Sequence, residues 1–305
     1  MVESPLVSVI IPTYSRPTNL CRAIDSVLNQ TYRPIEIIVV DDNGVGTEFQ
    51  IQTESVLKKY IELEQIVYVK HDVNKNGSAA RNTGFRISNG EYINFLDDDD
   101  VLIPSKIEIQ VSCLINSDDK IGAAFCNTIV EDNGCMHYVK NLKDGNVVQE
   151  LLLNEVQFNT STILFKRECL ETLNGWDESF FRHQDWELMV RFFSKYEIKL
   201  VAPDDYLIKK YVSSNIVTKN PLKSIEFKEF FIDKMSSYLD AMPLKNEILF
   251  KQYDILVYHL FKYGFRKQAL KYVDKTYSFK KPSVSIRLKN IARYILSFPR
   301  GLKYK

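Results

Sequence analysis

Short apolar runs alternate with segments of helical period along the first hundred residues. Each apolar run is continuous, which is typical of a strand buried on both faces of a sheet. The segments between them repeat apolar residues every three or four positions, as an amphipathic helix does. This order predicts βαβ units and a largely parallel sheet. The predicted strands cover residues 7–11, 35–40, 66–69 and 92–96, and the predicted helices cover 18–29 and 49–63 and a third that opens at 76–78.

The pattern becomes less regular after Pro104. A helix to residue 116, strands at 123–127 and 161–165 and a turn at 132–134 predict mixed, partly antiparallel additions to the sheet. From 221 to about 274 the chain has a helical pattern throughout, and Gly264 is placed to end one helix before the next. We therefore expect an α/β domain at residues 1–218 and a helical region at 219–305 that ends in a basic amphipathic helix.

The composition is that of a folded globular protein. Of 305 residues, 45 % are hydrophobic and 26 % are charged, which excludes a disordered, collagen-like or coiled-coil chain. Forty basic and 39 acidic residues give a formal net charge of +1, so no overall field attracts nucleic acid, and we expect no nucleic-acid partner. The charge is distributed unevenly, however. Nine basic and no acidic residues lie between Lys275 and Lys305, which leaves residues 1–274 with a net charge of −8.

The five cysteines indicate a reducing compartment. They are odd in number and widely spaced and form no C-x-x-C pair, so the sequence predicts neither a disulfide framework nor a zinc site. The first apolar run is short and lacks a preceding basic segment, which is typical of a strand and not of a signal peptide. No run approaches the roughly 18 apolar residues of a membrane span. We expect a cytoplasmic protein.

Four consecutive carboxylates, Asp97 to Asp100, are the strongest single feature. An acidic run in isolation is usually a solvated surface or a helix cap. These four, however, directly follow the predicted strand 92–96, and Asp41 and Asp42 follow the strand 35–40 in the same way. Ligands of open α/β sheets bind at the carboxyl ends of strands, so we expect both clusters at one cavity. Because such carboxylates repel one another without a cation, we expect Mn²⁺ or Mg²⁺ there, bridging to a diphosphate.

Five blocks of sequence, in order, resemble glycosyltransferase family 2. They are Val7–Tyr14 (VSVIIPTY), Ser26–Tyr32 (SVLNQTY), Glu36–Asp42 (EIIVVDD), Ala79–Gly84 (AARNTG) and Gly90–Asp100 (GEYINFLDDDD), and the similarity continues through Gly175–Glu178 and Gln184–Leu188. It covers roughly residues 5 to 210. The resemblance implies the α/β GT-A fold, which is Rossmann-like with a mostly parallel central sheet and helices on both faces, followed here by a C-terminal helical appendage.

The resemblance also implies a site for a nucleotide-sugar donor, usually a UDP-sugar, across the first strands. Tyr14 would stack on the base beside Pro12. Asp42 would accept a hydrogen bond from the uracil imide, and Arg81 would contact the base or a phosphate. Without the resemblance, Tyr14 is an ordinary loop aromatic and Asp41-Asp42 is a turn.

Within the acidic run, the resemblance assigns the ribose to Asp98 and the metal to Asp99, the final carboxylate of the family's D-x-D motif. Asp97 is the first carboxylate of that motif. Because four aspartates are consecutive, the register of the motif is left open by one residue. Any of Asp97, Asp98 and Asp99 is therefore a candidate for the strongest metal ligand.

Inverting transfer needs a base, because the acceptor hydroxyl loses its proton as it attacks the anomeric carbon. The position that matches the family's base is Asp185, preceded by Gln184 where the family usually has an acid. The alternative is that Asp185 caps the helix that follows it. His183 is another candidate base, or a metal or phosphate contact. Trp176 is expected to form part of the acceptor wall by stacking on a sugar, although large aromatics are more often core residues.

Apolar residues recur at helical spacing near the C-terminus, with Lys289 and Arg293 on the opposite face. The apolar set is Val284, Leu288, Ile291, Ile295 and Phe298, and the flanking basic residues are Lys280, Lys281, Arg300, Lys303 and Lys305. We expect an interfacial helix on an anionic membrane, which would make the protein peripheral on the inner face of the plasma membrane. The alternative is a helix packed on its own protein with a solvated basic face.

The sequence therefore predicts an inverting, metal-dependent glycosyltransferase. It would move a sugar from a UDP-linked donor to a hydroxyl of a surface or capsular polysaccharide, a lipid-linked oligosaccharide or another glycan. One alternative is a catalytically silent, membrane-associated scaffold that keeps the nucleotide site. The other is a sugar nucleotidyltransferase, which the lack of a glycine-rich, lysine-bearing phosphate loop near the first strand disfavours. The donor sugar, the acceptor, the linkage and a homodimer are left open.

Overall fold

The computed structural model describes residues 4–156, 159–211 and 222–297. The chain divides into two compact units. The first comprises Met1–Val147 and Gln157–Ser214, and the second comprises Val148–Val156 and Asn215–Lys305. The predicted boundary after residue 218 lies outside the described residues and stays a prediction. The sequence did not indicate that residues 148–156 belong with the C-terminal part of the chain.

The first unit contains two sheets. The strands described are β1 (Val7–Thr13), β2 (Ile35–Asp41), β3 (Val67–Lys70), β4 (Tyr92–Phe95), β5 (Asp100–Leu102), β6 (Ile121–Phe125), β7 (Asn127–Asp132), β8 (Cys135–Val139), β9 (Ile163–Lys166), β10 (Glu197–Leu200) and β11 (Tyr206–Tyr211). Seven of them form one sheet in the order β10-β6-β9-β4-β1-β2-β3, and four form another in the order β5-β11-β7-β8.

Helices connect these strands and form the second unit. Those of the first unit are α1 (Pro17–Leu28), α2 (Glu48–Glu62), α3 (Gly77–Ile87), α4 (Lys106–Ile115), α6 (Arg167–Thr172) and α7 (Gln184–Phe193), with α5 (Val148–Leu152) between α4 and α6 in the chain. Helix α5 belongs to the second unit with α8 (Lys223–Lys234), α9 (Ser236–Asp240), α10 (Lys245–Lys262), α11 (Arg266–Phe279) and α12 (Val284–Leu296).

The predicted parallel core is confirmed. Strand β1 pairs in parallel with both β2 and β4, and β2 pairs in parallel with β3. The residues of β1 from Val7 to Ile11 are completely buried, which explains why this strand lacks alternation in the sequence. Strand β9 runs antiparallel to β4 and β6, so the expected antiparallel additions are also present.

The second sheet begins at the acidic run. Asp100 is the first residue of β5, so Asp97 to Asp99 lie where the chain passes from one sheet to the other. A single strand was predicted at 123–127, but β6 ends at Phe125 and β7 starts at Asn127, because the chain changes sheets there. The turn at Asn133-Gly134 joins β7 and β8 as predicted, with φ of 49° and 83°.

The second unit is helical, as predicted for the described part of the C-terminal region. Its buried apolar residues include Phe231, Leu239, Ile248, Leu256 and Leu260. Gly264 ends α10 with a positive φ of 82°, where a turn between two helices was predicted. Helix α5 joins this unit through a hydrogen bond from Gln252 Nε2 to the Leu152 carbonyl. Among the described residues, no helix combines the length and the apolar character that crossing a bilayer requires.

Candidate active site

The carboxyl ends of β1, β2 and β4 lie side by side because these strands are parallel neighbours. Thr13 at the end of β1 is the register partner of Asp41 at the end of β2. A cavity of about 300 Å³, here called the donor cavity, opens at this edge of the sheet. Of the predicted donor and metal residues it is lined by Pro12, Tyr14, Asp42, Arg81, Asp97 and Asp98, whereas Asp99 does not line it. The structure therefore brings the two acidic clusters to one cavity.

Asp42 is a buried carboxylate with four hydrogen-bond partners. Its Oδ1 accepts from the Lys75 backbone amide at 2.8 Å and lies 2.7 Å from His71 Nδ1. Its Oδ2 accepts from Asn74 Nδ2 at 2.8 Å and from the Asn76 amide at 2.9 Å. Asn76 in turn caps α3, so Asp42 fixes the segment that leads into this helix. A uracil imide at Asp42 would have to share an oxygen with these donors, and this contact stays a prediction.

Tyr14 lies at the open side of the donor cavity. Its side chain is 53 % exposed, and Pro12 lines the cavity beside it. An exposed ring next to a proline is able to stack on a planar base, since such stacking needs an accessible π-face. The placement of Tyr14 and Pro12 is therefore compatible with the predicted contact to the base.

The carboxylates of the acidic run have separate partners. Asp98 is buried and accepts a 2.7 Å hydrogen bond from Thr13 Oγ1. The Arg16 guanidinium lies 3.1 Å from Asp98 and also contacts Asp99. Burial raises the pKa of Asp98 to about 7, although Arg16 acts in the opposite direction. Arg16 was not among the predicted site residues.

Asp97 and Asp100 face a second group of cations. Arg81 Nη2 donates a 2.8 Å hydrogen bond to Asp97, and Lys210 Nζ on β11 lies 3.8 Å from Asp97 and 3.6 Å from Asp100. Burial favours the neutral form of Asp97, but Arg81 and Lys210 outweigh it and hold the pKa of Asp97 below its usual value. Asp100 is completely buried, and burial raises its pKa to about 7 despite Lys210.

The donor set of this cluster fits a hard divalent cation. Its candidate ligands are carboxylate oxygens, which Mg²⁺ and Mn²⁺ prefer. Asp98 Oδ1 is buried and accepts no hydrogen bond from the described residues, but the Arg16 guanidinium lies 3.1 Å from it, so a metal ion there would compete with Arg16. No group of three or more acidic, histidine or cysteine side chains converges on one point in the described parts of the chain. Ions of this kind commonly take only one or two protein carboxylates, with substrate phosphates completing the shell.

Asp185 lies in a second cavity of about 400 Å³, here called the Asp185 cavity. It shares Arg81 and Gln184 with the donor cavity, and Arg81 Nη1 donates a 3.2 Å hydrogen bond to Gln184 Oε1. Burial raises the pKa of Asp185, while Arg81 acts to lower it. The N-cap of α7 is His183, with a left-handed φ of 61°, so Asp185 lies in the first turn and not at the cap position.

The two weaker acceptor candidates are placed differently from each other. His183 lines the Asp185 cavity, and its ring stacks on Trp186 with centroids 5.3 Å apart. Trp176 is only 3 % exposed, and its ring packs edge-on against Phe95 and beneath Arg81. In this conformation Trp176 offers no face to a sugar, so its placement gives the predicted stacking no support.

Sequence reasoning missed residues that organise the site. Lys210 belongs to a strand that was not predicted, and its sequence distance from the acidic run concealed its contact with Asp97. Asn82 Nδ2 donates a hydrogen bond to the Trp176 carbonyl, and Asn82 Oδ1 accepts one from the Trp176 amide, both at 2.9 Å. These two bonds fix the backbone of Trp176, whose ring lies against Arg81. Asn82 and Arg16 offered a signal, since Asn82 lies within a block that resembles the family and Arg16 follows another block by two residues.

Comparison with known proteins gives a family match. The model of a family described as glycosyl transferase family 2 matches residues 8–172. A curated relative, the amylovoran biosynthesis glycosyltransferase AmsB of Erwinia amylovora, is 27 % identical over 76 % of this chain and 78 % of its own length.

Solved structures share the fold. S. aureus TarS 1–349 in complex with UDP-GlcNAc matches with a TM-score of 0.60 at 14 % identity, over 95 % of this chain and 79 % of that chain. The mannosyltransferase PcManGT from Pyrobaculum calidifontis in complex with GDP-Man and Mn²⁺ matches with a TM-score of 0.60 at 17 % identity, over 99 % of this chain and 84 % of that chain. The predicted GT-A fold is thereby confirmed.

Proposed function

Since this chain belongs to glycosyltransferase family 2, we propose that it is an inverting, metal-dependent enzyme that moves a sugar from a nucleotide-sugar donor to an acceptor hydroxyl. The observation that carries this proposal is that the donor cavity and the Asp185 cavity share Arg81 and Gln184. A diphosphate bound near Arg81 and a hydroxyl bound near Asp185 would therefore meet at a common wall. In-line displacement needs such an arrangement of leaving group, anomeric carbon and base.

The donor that we propose is a UDP-sugar. Tyr14 and Pro12 would stack on the base, and Asp42 would accept from the uracil imide. TarS, which shares the fold, has been solved with UDP-GlcNAc, whereas PcManGT has been solved with GDP-Man. The imide contact that the resemblance implies at Asp42 is the reason for proposing uridine. Asp98, beside Thr13, would hold the ribose.

Charge neutralisation at the diphosphate is assigned to the acidic run and its cations. Asp99, with Asp97 or Asp98, would hold Mn²⁺ or Mg²⁺, which when bound stabilises negative charge on the leaving diphosphate. Arg81 and Lys210 would add fixed positive charge beside the same cluster, from 2.8 Å and 3.8 Å away from Asp97. Preorganised charges of this kind contribute where charge develops in the transition state.

Asp185 is the proposed base. The acceptor oxygen forms a bond to the anomeric carbon as the bond from that carbon to the diphosphate oxygen breaks. The electron pair of the broken bond leaves with the nucleoside diphosphate, and the hydroxyl proton passes to the Asp185 carboxylate. A pKa raised by burial makes Asp185 a stronger base than an exposed aspartate. Its half-buried position leaves room for an acceptor.

The acceptor that we propose is a growing surface polysaccharide, capsular chain or lipid-linked oligosaccharide. This proposal is supported by the relative from amylovoran biosynthesis. A lipid-linked acceptor is held at a membrane, and we place the enzyme on the inner face of the plasma membrane. A homodimer is compatible with this proposal, but no part of the proposal depends on one.

Replacing Asp185 separates an enzyme from a silent scaffold. In Asp185→Asn, we expect release of nucleoside diphosphate from the donor, with a lipid-linked glycan or water as acceptor, to fall on the order of a hundredfold or more. Nucleotide binding, measured by calorimetry, should be retained. Asp119→Asn, at an exposed aspartate, is the matched control and should behave as the wild type. Equal turnover in Asp185→Asn and the control would favour another base, and no turnover in any form would favour the scaffold.

A further inference from the structure

Helix α12 is oriented with its apolar side toward solvent. Four aliphatic residues, spaced by four, three and four positions, form one stripe along it, and each is between 56 % and 73 % exposed. They are Val284, Leu288, Ile291 and Ile295. No described residue covers this stripe. If α12 served only the fold, its apolar side would pack against its own unit. Instead, the apolar side faces solvent.

Polar contacts hold α12 to its own unit. Asn290 Nδ2 donates a 3.1 Å hydrogen bond to the Tyr277 hydroxyl, and Asn290 is buried. Arg293 forms a 2.9 Å ion pair with Asp254 on α10. Ser297 Oγ accepts a 2.9 Å hydrogen bond from Arg266 at the start of α11. The inward side of α12 is therefore its polar side, and the orientation is fixed by specific pairs.

One basic residue borders the apolar stripe, and a second lies farther round the helix. With about 3.6 residues per turn, Arg287 lies along one edge of the stripe, whereas Lys289 lies beyond Ala292, toward the polar side of the helix. Both are exposed, and neither forms an ion pair with a described residue. No acidic residue occurs from Lys275 to the end of the sequence. The surface made by Val284, Arg287, Leu288, Lys289, Ile291 and Ile295 is called the α12 face.

We propose that the α12 face docks on an anionic lipid bilayer, with the aliphatic stripe in the acyl boundary and the exposed side chains of Arg287 and Lys289 reaching the headgroups. Both features of the face are accounted for by this occupant, since interfacial helices combine an apolar stripe with Lys and Arg that contact anionic lipid. A contiguous exposed apolar patch otherwise has an energetic cost in water, and it generally marks an interaction site.

A second copy of the chain is a poorer occupant. A two-fold interface uses the same patch on both subunits. Packing two α12 faces together would bring Arg287 and Lys289 of one copy near those of the other, and like charges across an interface disfavour association. An anionic bilayer presents charge of the opposite sign to both of these residues. Charge complementarity therefore favours the lipid surface.

Vesicle sedimentation of the full chain tests the proposal. Wild-type protein is spun with large unilamellar vesicles of phosphatidylcholine, alone or mixed with phosphatidylglycerol. We expect binding to the mixed vesicles and much weaker binding to the neutral ones. The variant Leu288→Glu/Ile291→Glu should lower the partition coefficient by more than about tenfold, because two aliphatic side chains that would enter the bilayer are replaced by charged ones. Ile51→Glu, at an aliphatic residue of α2 that is 59 % exposed, is the matched control and should bind as the wild type.

A fluorescence measurement keeps the test valid if the double variant folds poorly. Leu288→Trp keeps the apolar character of the stripe, and its emission should shift to shorter wavelength on adding mixed vesicles. Arg287→Gln/Lys289→Gln should weaken binding to mixed vesicles and leave binding to neutral vesicles unchanged.

Three results would overturn the proposal. The first is that the wild type binds mixed vesicles no more than neutral ones, and the second is that Leu288→Glu/Ile291→Glu binds them as well as the Ile51→Glu control does. The third is that no form binds vesicles, while light scattering shows a wild-type dimer that Leu288→Glu/Ile291→Glu fails to form. The last result would assign the face to a second copy. The proposal is independent of the chemistry proposed above, and Asp185→Asn should bind vesicles as the wild type does. A negative transfer assay therefore does not contradict membrane binding by the α12 face, and a negative vesicle assay does not contradict the proposed sugar transfer.

Discussion

The Arg16 guanidinium lies 3.1 Å from Asp98 Oδ1 and also contacts Asp99, so one side chain bridges the two carboxylates that we assign to the ribose and the metal. Burial acts to lower the pKa of Arg16, but the carboxylates of Asp98 and Asp99 outweigh it and raise that pKa. Arg16 therefore stays charged in this position. A divalent cation held by Asp99 would compete with Arg16 for the charge of this carboxylate.

Removing the charge of Arg16 should tighten metal binding in the nucleotide-free protein. We expect Arg16→Gln to lower the dissociation constant for Mn²⁺ on the order of tenfold, because a competing cation within contact distance is lost. Titration followed by the electron paramagnetic resonance of free Mn²⁺ measures this constant without any turnover. Lys58→Gln, at an exposed lysine of α2, is the control. An unchanged or weaker affinity in Arg16→Gln would show that Arg16 is no competitor.

If Asp185 is the base, kcat/KM should fall on the acid side of its pH profile, and this fall should occur at higher pH than an ordinary aspartate would give. Burial raises the pKa of Asp185, and only its ionised form accepts a proton, so kcat/KM should rise with pH up to that pKa and then level off. Arg81 lowers the pKa of Asp185. Arg81→Gln should therefore move this fall to higher pH in rates normalised to their maximum. A fall at the same pH in both proteins would argue against Asp185 as the titrating base.

The parts of the site that lie on β1, β2 and β4 were predictable from sequence because local patterns specify them. Continuous apolar runs identify buried parallel strands, and Asp41-Asp42 and Asp97 follow such runs directly. Lys210 was not predictable, since β11 pairs with β5 from more than a hundred residues away. Its sequence, Tyr-Leu-Ile-Lys-Lys-Tyr, lacks a regular alternation. Pairing across that separation depends on tertiary packing and not on a local pattern.

The same distinction applies to α12. Spacing of apolar residues predicted the helix, and the helix is present. The direction of its apolar side could not be read from spacing, because it depends on the pairs formed by Asn290 and Arg293 with residues of other helices. The part of the basic tail after residue 297, with Phe298, Arg300, Lys303 and Lys305, lies outside the described residues.

A buried lysine should make the helical unit more stable at alkaline pH. Lys228 is 4 % exposed, and burial lowers its pKa to about 7. In the unfolded chain a lysine titrates near 10.4, so between these values the unfolded state binds more protons than the folded state, and stability rises with pH.

The test is a comparison of Lys228→Met with the wild type. We expect the free energy of unfolding of the wild type, relative to Lys228→Met, to increase from pH 7 to pH 9 by at most about 1.4 kcal/mol per pH unit. Urea denaturation at pH 7, 8 and 9 measures it. Lys234→Met on the same helix, where the lysine is exposed, should show no such slope relative to the wild type. If the difference in unfolding free energy between the wild type and Lys228→Met does not change with pH, Lys228 is charged in the folded state.

Gly84 on α3 leaves no room for a side chain. A Cβ there would overlap the Ile10 side chain of β1 and lie 3.3 Å from Val40 Cγ2 of β2. Alanine favours a helix over glycine by about 1 kcal/mol, but overpacking a core typically costs about 1–3 kcal/mol. Gly84→Ala should therefore lower stability in chemical denaturation, whereas Arg86→Ala on the exposed side of α3 should stay within about 0.5 kcal/mol of the wild type. Stabilisation by Gly84→Ala would contradict this close packing.

The central claim is that a nucleoside diphosphate binds at the ends of β1, β2 and β4 through a metal at Asp99. Thermal melting of wild type, Asp99→Ala and the control Asp119→Ala, with UDP, GDP or dTDP and with or without Mn²⁺, tests it most directly. We predict that UDP with Mn²⁺ raises the melting temperature of the wild type and the control and leaves Asp99→Ala unchanged. A hundredfold excess over Kd adds about 2.7 kcal/mol to stability, which such a measurement resolves. No shift with any nucleotide, or an equal shift in Asp99→Ala, would contradict the claim.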